Sequence, residues 1–122
     1  MGILNVTPDS FSDGGRYLDP ARALTRASEM IAEGADILDV GAESASAAAS
    51  KPELEQELSR LLPVVSELAA GDRVAVSVDT YKSRVAEAVL SAGAHIINDI
   101  SGLHADPDLP HVIAQYNAAV VI

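Results

Sequence analysis

The sequence predicts an α/β protein of repeated strand and helix units around a parallel sheet, and three observations predict it. One junction recurs, in which a helical segment runs into Gly and an apolar strand begins: Gly34-Ala35-Asp36-Ile37-Leu38, Gly71-Asp72-Arg73-Val74-Ala75-Val76 and Gly93-Ala94-His95-Ile96-Ile97. Each Gly reads as the left-handed residue that stops a helix. The strands that follow are continuously apolar rather than alternating, as expected where helices cover one side of a parallel sheet and a core fills the other. Helix starts are equally legible in the placement of capping residues before Pro.

The elements follow in order. An apolar strand over 2–6 runs into a polar loop, Thr7 to Gly15, that Pro8, Gly14 and Gly15 keep out of regular structure. Asp19-Pro20 is an N-cap with Pro at the first helical position and opens a helix over 20–33, before a strand over 36–41. Ser50-Lys51-Pro52-Glu53 is a capping box that opens a helix over 52–69. A strand over 73–79, a helix over 82–92 and a strand over 95–99 come next, then a short helix over 108–116 opened by Asp106-Pro107 or Asp108, and a strand over 118–122. Simple βα repetition permits a doubly wound open sheet or a (β/α)₈ barrel, and periodicity alone does not separate them. No Gly-x-Gly-x-x-Gly follows the first strand, which weakens the dinucleotide-binding alternative.

The 122 residues suit one small domain, and 48% hydrophobic content is enough for a core. No apolar run approaches a membrane span and no secretory signal is visible, so a cytoplasmic protein is expected. The absence of Cys excludes disulfides and thiolate metal sites. A net charge of −10 argues against nucleic acid or an anionic membrane as partner, since both need a basic footprint. Asn5-Val6-Thr7 is formally a glycosylation sequon, a reading that Pro8 disfavours.

In a parallel α/β architecture the loops at the C-terminal ends of the strands converge on one face, where chemistry is expected. Four successive strands place polar groups there: Asn5, then Glu43 and Ser44, then Asp79 and Thr80, then Asn98 and Asp99. Singly, Thr80 reads as a cap for the helix near Lys82, Asp99 as a holder of the Ser101-Gly102 turn, and Asn98 as a partner for loop backbone. Asp79 is the most informative, because Val74 to Val78 delivers a carboxylate to the end of a buried strand, where a ligand rich in N–H donors would satisfy it. His95, His104 and His111 share no ligand spacing and read as helix-flank or surface residues.

The opening run Asn5-Val6-Thr7-Pro8-Asp9-Ser10-Phe11-Ser12-Asp13-Gly14-Gly15 resembles the opening of dihydropteroate synthases, in the pterin-binding family of barrels. Ser77-Val78-Asp79-Thr80-Tyr81-Lys82 and Ile97-Asn98-Asp99-Ile100-Ser101-Gly102 resemble that family's third- and fourth-strand motifs. The resemblance implies a TIM barrel of the pterin-binding type, with only the first four to five βα units in this chain, as the N-terminal part of a single domain. Such a piece has an exposed edge strand and half a core, so instability, self-association or a missing remainder is expected. The implied reaction condenses 6-hydroxymethyl-7,8-dihydropterin pyrophosphate with p-aminobenzoate, giving dihydropteroate and pyrophosphate. Asp79 and Asn98 would hold the pterin, and Asn5 would lie near the pyrophosphate and Mg²⁺. The loop carrying Thr7, Phe11, Ser12 and Asp13 would fold over the site and help form the p-aminobenzoate pocket, with Ser44 also at the substrates. Catalytic weight would fall on Asp79, Asn5 and Asp13. The resemblance also implies a sulfonamide target and a homodimer as the full-length enzyme.

One motif departs from the pattern. The family's second-strand motif runs Asp-(Ile/Val)-Gly-Gly-Glu-Ser-(Thr/Ser)-Arg-Pro-Gly, where this chain has Asp39-Val40-Gly41-Ala42-Glu43-Ser44-Ala45-Ser46-Ala47-Ala48. Ser46 replaces an Arg whose bidentate contact with anions a hydroxyl does not reproduce. The family's later motifs have no counterpart before Ile122. The altered second loop would allow a second reading, a non-catalytic pterin-binding homologue or partner subunit. A pterin-binding methyltransferase domain is a third, sharing the barrel and the Asp/Asn recognition, but the loop from Asn5 to Phe11 points to the synthase.

Overall fold

The computed structural model describes residues 1–6, 20–42 and 54–122. The expectations for Thr7, Phe11, Ser12, Asp13 and Ser44, and for the caps at Asp19 and at 50–53, lie outside the described residues. The elements are β1 (Gly2–Asn5), α1 (Pro20–Ala32), β2 (Ile37–Gly41), α2 (Leu54–Gly71), β3 (Ala75–Asp79), α3 (Ser83–Ser91), β4 (Ile96–Asn98), α4 (Leu109–Gln115) and β5 (Ala119–Val121). Each expected element is present among the described residues, with ends that differ by at most two residues.

All strand pairs are parallel, in the order β1-β2-β3-β4-β5. A doubly wound sheet reverses its strand order at a switch point, whereas a barrel adds each strand beside the last. The uninterrupted order therefore decides between the two architectures left open by the sequence. Right-handed crossovers then carry successive helices to the same side of the sheet.

That side holds the core. Alternation along the strands turns Leu4, Leu38, Val40, Val76, Val78 and Ile97 toward the helices, all at most 4% exposed. Ala23 and Ala27 of α1 pack here with Leu61, Val64 and Val65 of α2, Val85 and Val89 of α3, and Leu109 of α4. At Gly2 the neighbours come close, because a Cβ there would lie 2.8 Å from Met30 Sδ of α1 and 2.9 Å from Leu38 Cδ2 of β2. On the sheet's opposite face Ile3 and Val121 are 66% and 40% exposed.

Two helix boundaries differ from expectation. Gly34 and Gly93 adopt the positive φ of helix stops, 105° and 115°, but Gly71 remains in the last turn of α2 and Asp72 takes the left-handed position at φ 51°. A short polar side chain tolerates that conformation better than a branched apolar one. The second difference concerns Asp106. Its Oδ1 accepts from the Asp108 amide at 3.0 Å, while its Oδ2 accepts from the Ser83 amide at 2.7 Å, so it caps the start of α3 across space. Lys82, the local N-cap of α3, makes no side-chain cap bond.

Candidate functional site

The strand register brings the C-terminal residues into one row, with Asn5 opposite Gly41, Gly41 opposite Asp79, and Asp79 opposite Asn98. In-register neighbours of a parallel sheet point to the same face. Here it is the face away from the helices. A Cβ at Gly41 would lie 3.6 Å from Asp79 Oδ2 and 3.7 Å from Asn5 Oδ1, so the missing side chain leaves a notch with an oxygen on either side.

A second polar layer lies one pleat further in. Asp39 Oδ1 accepts from Ser77 Oγ at 2.7 Å and its Oδ2 accepts from Asn98 Nδ2 at 3.1 Å. Asp39 is 6% and Ser77 0% exposed, and the hydrogen bond between them, with that from Asn98, offsets the cost of burying them. Neither residue was expected at the site, because the strands read as continuously apolar. The signal was nevertheless present: Asp39 interrupts Ile37-Leu38 and Val40, and Ser77 stands two residues before Asp79, the period of one strand face.

The supports come from α2. Arg60 Nη1 donates to the Ala42 carbonyl oxygen at 3.3 Å, just beyond β2. One turn earlier, Glu57 is 1% exposed and accepts from Lys82 Nζ at 2.7 Å and from Thr80 Oγ1 at 3.5 Å. A carboxylate on an amphipathic helix reads as a solvated residue, so its burial was not visible in the sequence.

Of the polar groups expected at the strand ends, Asn5, Asp79 and Asn98 share the site face. Thr80 and Asp99 do not. Thr80 Oγ1 accepts from the Lys82 amide at 3.2 Å, the capping role that its position suggested. Asp99 is 0% exposed and accepts from the Ser101 amide at 2.8 Å, Ser101 Oγ at 2.7 Å and the Leu103 amide at 3.0 Å, so it holds its own turn. Asp79 is half-buried and takes part in an interaction within the chain. His95 is structural: its Nδ1 accepts from the Val76 amide at 3.0 Å while its own amide donates to the Val76 carbonyl at 2.9 Å.

Among the described residues no group of three His, Cys, Asp or Glu side chains is placed to hold a metal ion. A hard cation with oxygen ligands suits Asn5 Oδ1 only as one protein ligand among substrate oxygens and waters. No helix among the described residues is long and apolar enough to cross a membrane.

Residues 1–122 match the family described as pterin binding enzyme. The chain belongs to the pterin-binding enzyme family. It is 52% identical to a dihydropteroate synthase of Staphylococcus haemolyticus over 123 aligned residues, covering 100% of this chain and 45% of the relative. A dihydropteroate synthase of Mycobacterium leprae is 50% identical, over 100% of this chain and 43% of that protein. Among solved structures, a dihydropteroate synthase from Clostridium difficile in the presence of pteroic acid superposes with a TM-score of 0.89 at 44% identity, covering 98% of this chain and 45% of that one. The Xanthomonas albilineans enzyme with 4-aminobenzoic acid gives 0.88 at 41% identity, covering 99% and 44%. This chain thus spans less than half the length of these relatives, and its five-stranded parallel sheet corresponds to the first units of their TIM barrels.

Proposed function

We propose that this chain supplies the N-terminal part of a single-domain dihydropteroate synthase barrel, a transferase of folate biosynthesis. The observation that carries the reading is the row Asn5, Gly41, Asp79 and Asn98, which sets amide and carboxylate groups on one face at the strand ends. The similarity to dihydropteroate synthases over the whole chain supports it.

In the proposed reaction the amine nitrogen of p-aminobenzoate bonds to the methylene carbon of 6-hydroxymethyl-7,8-dihydropterin pyrophosphate. The carbon–oxygen bond to pyrophosphate breaks, its electron pair leaves with the pyrophosphate, and the amine nitrogen loses a proton. Asp79 and Asn98 hold the pterin by its N–H donors and amide-like edge, a pairing that two adjacent register positions can meet side by side. Asp79 also places negative charge beside the ring on which positive charge develops. Mg²⁺, held by Asn5 and the pyrophosphate oxygens, would neutralise the leaving group. Thr7, Phe11, Ser12, Asp13 and Ser44 complete the proposed substrate pockets from the two loops. The sulfonamide drug complex of the Yersinia pestis dihydropteroate synthase, a neighbour with a TM-score of 0.85, supports sulfonamides as ligands of the full-length protein. Small-molecule partners, a cytoplasmic location and a homodimer complete the proposal.

Calorimetry on the full-length protein with Asp79→Asn tests the assignment. The expected result is a loss of pterin-pyrophosphate affinity of at least about tenfold, the scale of one charged hydrogen bond. Unchanged affinity removes Asp79 from the pterin site. A second reading, a pterin-binding module without turnover, is favoured by Ser46 and the neighbouring departures from the second-strand motif. Dihydropteroate formation that is absent both before and after Ser46→Arg, with pterin binding intact, selects that reading.

A further inference from the structure

Asn98 reaches its ligand position with one end of its amide already committed. A carboxylate has acceptors only, so the Asn98 atom 3.1 Å from Asp39 Oδ2 is the donor Nδ2, an assignment fixed by chemistry. Asp39 lies two residues closer to the N-terminal end of β2 than Gly41, the row-mate of Asn5 and Asp79. Nδ2 is therefore drawn toward the inner layer, and Oδ1 is the atom that Asn98 presents at the level of the row. Asp39 cannot readily turn away, because its other oxygen accepts from Ser77 Oγ at 2.7 Å and it is 6% exposed.

We propose that Asp39 is a positioning residue that locks the amide of Asn98 with its acceptor toward the ligand, so that this position selects a ligand carrying an N–H donor. Two side chains facing a ligand from Asp79 and Asn98 then present acceptors, and a ring with an amino group beside a ring N–H meets both. An unlocked amide rotates by half a turn at little cost and offers a donor just as well. Discrimination against an oxygen-bearing ring then falls, because the wrong ring no longer leaves a buried acceptor facing an acceptor. Ser77 holds the inner end of the same relay.

The inference rests on the pterin-binding reading for its ligand but not for its geometry, and the test separates the two. Asp39→Ala and Ser77→Ala are made in the full-length protein, with Asn side chains labelled by ¹⁵N. The Nδ2 protons of Asn98 are followed by NMR without ligand, and affinities for pterin and lumazine, in which oxygen stands in place of the 2-amino group, are measured by calorimetry. The expected result is one hydrogen-bonded, slowly exchanging Nδ2 proton in the parent that is lost in Asp39→Ala, which has no side-chain acceptor. The expected ligand result is a preference for pterin over lumazine that falls at least about tenfold in Asp39→Ala and less in Ser77→Ala. An Asn98 Nδ2 signal unaltered by Asp39→Ala overturns the proposal. So does a loss of affinity equal for both rings, which marks Asp39 as a purely structural residue. If the NMR change occurs but neither ring binds the parent, the lock stands and the pterin reading fails.

Discussion

Glu57 on α2 and Lys82 at the foot of α3 form an ion pair at 2.7 Å, with side-chain exposures of 2% and 25%. The carboxylate also receives the Thr80 hydroxyl, so a single buried group ties α2 to the segment that follows Asp79. Removing Lys82 would leave that carboxylate buried with too few partners. Lys82→Met is expected to destabilise the protein by roughly 2–4 kcal/mol in denaturant unfolding, with the partial exposure of Lys82 favouring the lower end. Lys82→Met combined with Glu57→Leu should cost less than Lys82→Met alone, because no buried charge remains. A single variant within about 0.5 kcal/mol of the parent shows that the pair adds nothing to stability.

Two helix stops offer a matched comparison. Gly34 and Gly93 have nearly the same backbone, φ 105° and 115°, but a Cβ at Gly34 meets nothing within 4 Å, whereas one at Gly93 lies 2.6 Å from Ala69 Cβ. Gly34→Ala is expected to cost about 1–3 kcal/mol, from backbone strain alone. Gly93→Ala should cost about 1–3 kcal/mol more, from the contact with α2. Adding Ala69→Gly to Gly93→Ala should recover the excess and leave the strain, as thermal or denaturant unfolding can show.

Acid stability should respond to Asp106. The Ser83 amide, then the Asp108 amide and the Ser83 hydroxyl, hold its carboxyl below the usual carboxylate value. A group whose folded pKa is depressed contributes stability above its unfolded pKa, near 4, and loses it as pH falls through the folded value. Asp106→Ala is expected to cost about 1 kcal/mol near neutral pH, the loss of a helix cap. The difference between parent and variant should shrink below about pH 4. A difference independent of pH between 3 and 7 would assign the effect to packing instead.

Gly41 sits between the two oxygens of the outer row, and a methyl group there meets ordinary contact distances of 3.5–3.7 Å. Gly41→Ala is therefore expected to fold with stability within about 1 kcal/mol of the parent. Under the proposed function it should nonetheless raise the full-length protein's KM for pterin pyrophosphate about tenfold, because the notch beside Asp79 and Asn5 is filled. Unchanged kinetics would mean that the glycine serves only the close approach of the strands.

The number and order of helices and strands were legible in the sequence because each rests on local rules. Pro20 starts a helix, Gly34 and Gly93 stop helices, and Leu38, Val40, Val76 and Val78 fill strands whose apolar face needs no partner to be recognised. Asn5, Asp79 and Asn98 were legible as candidates because a polar group at a strand's C-terminal end stands out, and the register sets the three in one row. Asp39 and Glu57 were not, since a carboxylate inside an apolar strand or on a helix shows its value only once its partner is known.

The sequence by itself determined the βα repetition and, through Asn5 to Gly15, the resemblance to dihydropteroate synthases. The tertiary structure decided that the strands run in unbroken order, and that of the consecutive pairs Asp79-Thr80 and Asn98-Asp99 only the first member of each reaches the site face. It also joined Asp39 to Asn98 across 59 positions. The physical reason is one of range: propensity and capping act over a few residues, whereas register and burial are set by contacts between segments far apart in the chain.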